Sequence, residues 1–167
     1  MKTLHTLTAV AVAALLASCG GGSDSRGSLR ETPTTLATLT AAQIDAATAA
    51  SGLQALSGKA KCDVKIVSLY YNTAGVAANE MSNASGVLLV PAGSCTGAMP
   101  LIAHARGTEV SKVRTLASAT DAETIALAAI YAAQGYAVVA TDYLGFAKST
   151  YSYHPSLHAA SQAPSVI

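Results

Sequence analysis

Charge is the first thing this chain lacks. Only 11% of its 167 residues are charged, and 10 Lys+Arg stand against 9 Asp+Glu. With no basic surplus to neutralise phosphates, nucleic acid is not a partner to expect. No CxxC and no paired His/Cys spacing is present, so no metal site and no cofactor are expected. The glycine run Gly20-Gly21-Gly22 has no strand before it and no lysine after it, which excludes a phosphate-cradling loop. There is no internal repeat and no sign of a second domain. What the chain does have is a hydrophobic fraction of 51%, enough for one domain with a real core and too much for general disorder.

Some of that apolar content belongs to an address rather than to the fold. Lys2 gives a short positive start, and Leu4 to Leu16 is mostly apolar but too short to cross a bilayer. Leu16-Ala17-Ser18-Cys19 follows directly and resembles the lipobox of bacterial lipoproteins. The resemblance implies cleavage before Cys19, acylation of its thiol and of the new amino group, and a partner in the membrane itself. Several acyl chains anchor durably where one holds only marginally. Gly20, rather than Asp, follows the cysteine; by the sorting rule of enteric bacteria this favours the outer membrane, facing the periplasm or the exterior. The expected organisation is a signal peptide over 1–18, a flexible Gly/Ser/Thr/Arg-rich tether over 19–39 and a domain over 40–167.

Setting Cys19 aside leaves Cys62 and Cys95, an even pair in an exported chain, where disulfides form and persist. A bridge is the natural assignment, with two buried free thiols or half of a metal site as the alternatives. It would close a loop of roughly 33 residues and contribute roughly 3–4 kcal/mol on the chain-entropy model.

Along the domain, Thr40-Ala41-Ala42-Gln43 has capping-box spacing and leads through Ile44, Ala47 and Ala50 to Gly52, predicting a short helix. Val64, Ile66, Leu69 and Tyr71 alternate roughly and predict a strand, read as an antiparallel edge. The runs Ser85–Pro91, Met99–Ala103 and Tyr136–Thr141 are continuously apolar, as in parallel strands covered on both faces. Between the last two, Thr120-Asp121-Ala122-Glu123 has capping-box spacing before Ile125, Leu127, Ile130 and Tyr131, with Gly135 as terminator. Strand, helix, strand makes a crossover unit in an α/β fold.

Three stretches carry a family resemblance. Pro100-Leu101-Ile102-Ala103-His104-Ala105-Arg106-Gly107-Thr108 resembles the strand and oxyanion loop of α/β-hydrolases. Gly135–Gly145 resembles the next strand and turn, and Tyr153–His158 resembles the connection that follows in secretory-lipase-like esterases. The resemblance spans about residues 62 to 167 and implies the N-terminal half of an α/β-hydrolase sheet. In that superfamily the nucleophile sits in a Gly-X-Ser-X-Gly turn after the next strand, and the acid and the histidine follow. No Gly-X-Ser-X-Gly occurs in these 167 residues, so the expectation is a sheet truncated before the nucleophile strand. That strand is expected beside 136–141. Arg106 stands where related loops commonly carry histidine, and Pro164 falls inside the final helix, where proline costs roughly 3 kcal/mol.

The resemblance makes Gly107 and Thr108 the candidates for backbone donors to an oxyanion, each worth about 2.7–4 kcal/mol in a working enzyme. His104, His154 and His158 read as structural, because the family histidine lies later in the chain. Asp142, at the end of a buried strand, reads as a turn brace. Arg106, Glu109, Lys112 and Arg114 read as a solvated loop of weak ion pairs. Two functions follow from these readings. One is the N-terminal part of an exported serine carboxylic-ester hydrolase, with an ester as substrate only where the full-length enzyme exists and no catalytic triad of its own. The other is a non-catalytic envelope lipoprotein, binding or vestigial.

Overall fold

The computed structural model describes residues 25–166. Cys19 and the signal segment lie outside them. Five strands form one sheet in the order β1-β2-β3-β5-β4: β1 Thr34–Leu39, β2 Asp63–Ala74, β3 Met81–Ala92, β4 Leu101–His104 and β5 Ala137–Thr141. The helices are α1 Ala41–Ser51, α2 Gln54–Ser57, α3 Ala122–Ile130 and α4 Ala159–Ser165, with a 3-10 turn at Ala132–Gln134.

Local chemistry sets the helix ends. The Gln43 N–H donates to Thr40 Oγ1 at 3.2 Å while Gln43 Oε1 accepts from the Thr40 N–H at 2.8 Å, the expected reciprocal cap. Gly52 ends α1 at φ +76°. α3 is capped one residue later than expected, by Asp121, whose Oδ1 accepts from the Glu123 and Thr124 N–H groups at 3.0 Å each. A carboxylate accepts two donors at once and favours the positive end of the helix dipole, so it displaces Thr120 from the role. In α4, Pro164 is the residue before the last, so little helix remains beyond it to be broken.

Four expectations about the sheet need correction. The span read as tether contributes β1, which pairs antiparallel with β2 from Thr34↔Ser68 to Leu39↔Val64. β2 is therefore interior. β3 is antiparallel to both β2 and β5, and only β4 and β5 run parallel, joined through α3 as the crossover predicted. Finally, β5 has β3 on one side and β4 on the other, so the open edge on that side is β4 and not the strand at 136–141. Leu101 on β4 is 64% exposed, as an uncovered edge residue would be.

Both faces of the sheet carry core. Ile44, Val64, Ile66, Val87, Leu89, Leu127 and Val138 pack between the sheet and α1/α3, and Leu69, Tyr71, Ala84 and Val139 cluster on the other face. There α4 is tied down by the Tyr71 hydroxyl, which bonds Thr141 Oγ1 at 2.8 Å and the Ser165 carbonyl at 2.6 Å. Burial pushes the Tyr71 phenol well above its ordinary range. Gly86 is required where β3 meets β5, because a Cβ there would collide with the Ala140 carbonyl. Cys62 and Cys95 form the expected disulfide, with Cα atoms 5.5 Å apart. It joins the start of β2 to the loop after β3.

Candidate functional site

Because β4 and β5 are parallel, their carboxyl ends share one edge of the sheet, the place where open α/β folds bind ligands. β4 gives way there to Ala105-Arg106-Gly107-Thr108, and β5 gives way to Asp142-Tyr143. Between these ends lies a cavity of about 460 Å³, lined by Arg106, Gly107, Thr108, Tyr143, His154 and Gln162 among others. A Cβ at Gly107 would meet nothing within 4 Å. Open space therefore lies beside its backbone. Among the described residues, the Gly107 and Thr108 N–H groups donate to no protein acceptor. The disulfide sits at the opposite edge, since the end of β3 lies beside the start of β5.

The far wall is shaped by a tight turn. Tyr143 has φ +68°, an uncommon conformation for a bulky residue, held by its N–H donating to Thr141 Oγ1 at 2.9 Å. Burial raises the Tyr143 phenol above its ordinary value. Gly145, at φ +78°, lets the turn press on the backbone of Tyr153 and His154, where a Cβ would come within 2.6 Å of the His154 nitrogen. His154 Nδ1 faces the Leu144 carbonyl at 2.9 Å and its ring packs on Phe146 at 4.7 Å. His158 pairs with Ser161 at 3.0 Å, and His104 with Glu123 at 2.9 Å. Each of these three histidines thus has a local hydrogen-bond partner.

Arg106, Glu109 and Arg114 do not form the expected solvated loop. The Arg106 side chain is fully buried; its Nη2 donates to Glu109 Oε2 at 2.8 Å and its Nη1 lies 3.5 Å from Asp142 Oδ1. Glu109 Oε2 also accepts from Arg114 at 2.7 Å, and Arg114 reaches Asp121 at 2.8 Å and Glu123 at 3.1 Å. A guanidinium presents five donors in a fixed fork, which is what allows one side chain to join three carboxylates. The Ser111 N–H, Arg114 and the Val110 N–H together pull the Glu109 carboxyl down to about 2. The same ion pairs, with Asp121 first and then Glu109, push Arg114 above its ordinary value. Lys112 alone keeps the surface role, donating to the Ser152 carbonyl at 2.6 Å.

Asp142 does brace a turn. It is fully buried and accepts from the Leu116 N–H at 2.7 Å, Ser85 Oγ at 2.7 Å and Thr115 Oγ1 at 2.9 Å. Through it the long loop after β4 is fastened to β3 and β5. The sequence signal for this arrangement was a cluster of charges immediately after Gly107 in a chain otherwise poor in charge.

The cavity edge, the crossover and the sheet order define an esterase/hydrolase-like α/β fold. Among solved structures, this chain is similar to the rice cell wall degrading esterase LipA from Xanthomonas oryzae. Its G231F mutant is 37% identical with a TM-score of 0.71, over 85% of this chain and 35% of that one. A ligand-bound form of LipA is 36% identical with a TM-score of 0.71, over 84% of this chain and 36% of that one. A candidate hydrolase from Legionella pneumophila shares the fold at 21% identity and a TM-score of 0.68, over 81% of this chain and 37% of that one. The chain thus spans about a third of the length of the esterase structures it matches. No family model and no curated protein matches it.

Proposed function

We propose that this chain is the N-terminal part of an exported serine carboxylic-ester hydrolase, to which it contributes the oxyanion loop. The observation that carries this reading is the Gly107-Thr108 segment after β4, which lines a cavity and whose N–H groups have no protein acceptor among the described residues. Its likeness to the esterase LipA over 85% of this chain supports the assignment. In the proposed reaction a serine Oγ attacks the ester carbonyl carbon and a histidine takes its proton. The carbonyl oxygen becomes an oxyanion as its π electrons move onto it. The Gly107 and Thr108 N–H groups then donate to that oxygen, and their fixed dipoles stabilise charge that exists only in the transition state and the intermediate. Collapse re-forms the carbonyl and expels the alcohol, which takes the proton from histidine.

Serine, acid and histidine are assigned to chain continuing past Ile167, since no Gly-X-Ser-X-Gly stands within these residues. Acylation of Cys19 would place the enzyme in the cell envelope, most consistently at the outer membrane. Reading the coding sequence beyond Ile167 tests the proposal. A continuation with a Gly-X-Ser-X-Gly turn, an acid and a histidine in that order is the expected result; a stop codon directly after Ile167 would favour the non-catalytic lipoprotein instead.

A further inference from the structure

Nothing in the fold obliges a cavity-lining loop to bury a full positive charge. The segment between His104 and Ala122 contains no helix or strand, and loops of that length without structure of their own are uncommon except where they serve a site. An irregular loop carrying free donors would wander by more than an oxyanion can tolerate, because a misplacement of roughly 1 Å costs about a hundredfold in rate. Something must hold it.

Arg106 is the residue placed to do so. It immediately precedes Gly107, and its buried fork grips Glu109 on the far side of Gly107 and Thr108. The two donors are thus enclosed between Arg106 and Glu109, joined by one ion pair. Its other arm faces Asp142, which is itself bonded to Ser85 on β3 and to the Leu116 N–H. Glu109 extends the chain through Arg114 to Asp121 and Glu123 at the start of α3. Glu109 also gathers its own side of the loop, accepting from the Val110 and Ser111 N–H groups at 2.7 Å each. The Phe146 ring, 5.8 Å from the guanidinium carbon, closes another side. Arg106 Nε and Nη1 have no hydrogen-bond acceptor, so the burial is not explained by full satisfaction of the group itself. Burying a charge with two unfilled donors is costly; a guanidinium held in that state beside the Gly107 and Thr108 donors fits a positioning role better than a stabilising one.

We propose that Arg106 is a positioning residue for the oxyanion loop: by bridging Glu109 and Asp142 it locks the Gly107-Thr108 backbone against the carboxyl ends of β4 and β5. This rests on the reading of Gly107 and Thr108 as oxyanion donors. It also predicts something that does not depend on that reading, namely the order of the loop itself. Lysine cannot replace arginine here, since a point-like ammonium does not donate to Glu109 from one arm while facing Asp142 with another, as the Arg106 fork does.

The test is hydrogen–deuterium exchange by mass spectrometry on the full product of the coding sequence, comparing wild type with Arg106→Met and with the milder Glu109→Gln. The peptide over 109–118 contains the bonded amides of Val110, Ser111, Arg114, Leu116, Ala117 and Ser118; a β2 peptide over 63–74 reports global opening. Arg106→Met should speed exchange in 109–118 at least about tenfold and leave 63–74 within about twofold of wild type, with Glu109→Gln in between. Unchanged exchange in 109–118, or equal acceleration of both peptides in both variants, overturns the proposal. In a product that continues past Ile167 and hydrolyses esters, Arg106→Met should also lower kcat about ten- to a hundredfold with little change in KM. If that product hydrolyses nothing, the esterase reading fails while the exchange result still decides whether Arg106 holds the loop.

Discussion

Replacing Asp142 by alanine removes the point at which three segments are fastened together, and the cost can be worked from its partners. The substitution strands the Leu116 N–H in a fully buried position and deprives the Ser85 and Thr115 hydroxyls of their acceptor. It also leaves the buried Arg106 with Glu109 as its one remaining carboxylate. Breaking a buried pair costs about 3–5 kcal/mol and an orphaned buried donor about 1–3, but the two overlap because the same desolvation is counted in both. The bonds that the Ser85 and Thr115 oxygens accept from the Lys148 and Ala117 N–H groups are kept, so the loss at these two residues is confined to their hydroxyl donors. About 3–5 kcal/mol is therefore expected for Asp142→Ala, and about half of that for Asp142→Asn, which keeps an acceptor and the shape. Lys148→Ala is the control: its pair with Glu31 at 2.8 Å has both side chains about half exposed, and such pairs are worth under about 1 kcal/mol. The chain has no tryptophan, so urea unfolding followed by far-UV circular dichroism, with linear extrapolation, is the suitable assay. The reasoning is refuted if Asp142→Ala lies within about 1 kcal/mol of wild type, or if it and Lys148→Ala cost the same.

Further consequences follow from the same contacts. Gly86→Ala should destabilise by about 1–3 kcal/mol or more, because its Cβ meets the Ala140 carbonyl and must part β3 from β5; a melt within a degree of wild type would contradict it. The Glu109 carboxyl is held down to about 2 in the native state, so its contribution to holding the loop is fully present above the unfolded value near 4.3 and is lost as pH falls through the native one. Protection of the Val110 and Ser111 amides should therefore survive from neutral pH to about 4 and fade below it, and Glu109→Gln should abolish that dependence. Lipid attachment at Cys19 predicts that a fatty-acid analogue labels the wild type and not Cys19→Ala, and equal labelling of the two would sink the anchor.

Much of the fold was legible because its signals are local. Thr40 and Gln43 announce the start of α1, the apolar runs at 101–103 and 137–141 announce two strands, and the helix between them makes the crossover. β1 escaped notice because Thr34–Leu39 is an edge strand whose residues are mostly exposed, so burial imposed no apolar pattern on it. The order of strands escaped for another reason. Which neighbour lies beside β5 is decided by how the crossover threads the sheet, and residues 136–141 are equally apolar whichever strand is next to them. Arg106 was misread as solvated because charged side chains are rarely buried without partners. Its partner Asp142 lies far along the chain, and no spacing rule connects the two. Gly107 and Thr108 stand out as candidates through family resemblance alone; periodicity reads them as an ordinary strand-to-loop connection.

On the proposed function, this chain brings an oxyanion loop to a serine esterase whose nucleophile lies past Ile167. The direct measurement is hydrolysis of a p-nitrophenyl ester, with labelling by a serine-directed fluorophosphonate, by the 167-residue chain and by the full product of its coding sequence. The chain alone should neither hydrolyse the ester nor take the label, and a product that includes the Gly-X-Ser-X-Gly turn should do both. Turnover by the chain alone that the fluorophosphonate blocks, or a full product containing that turn that neither hydrolyses nor labels, would contradict it.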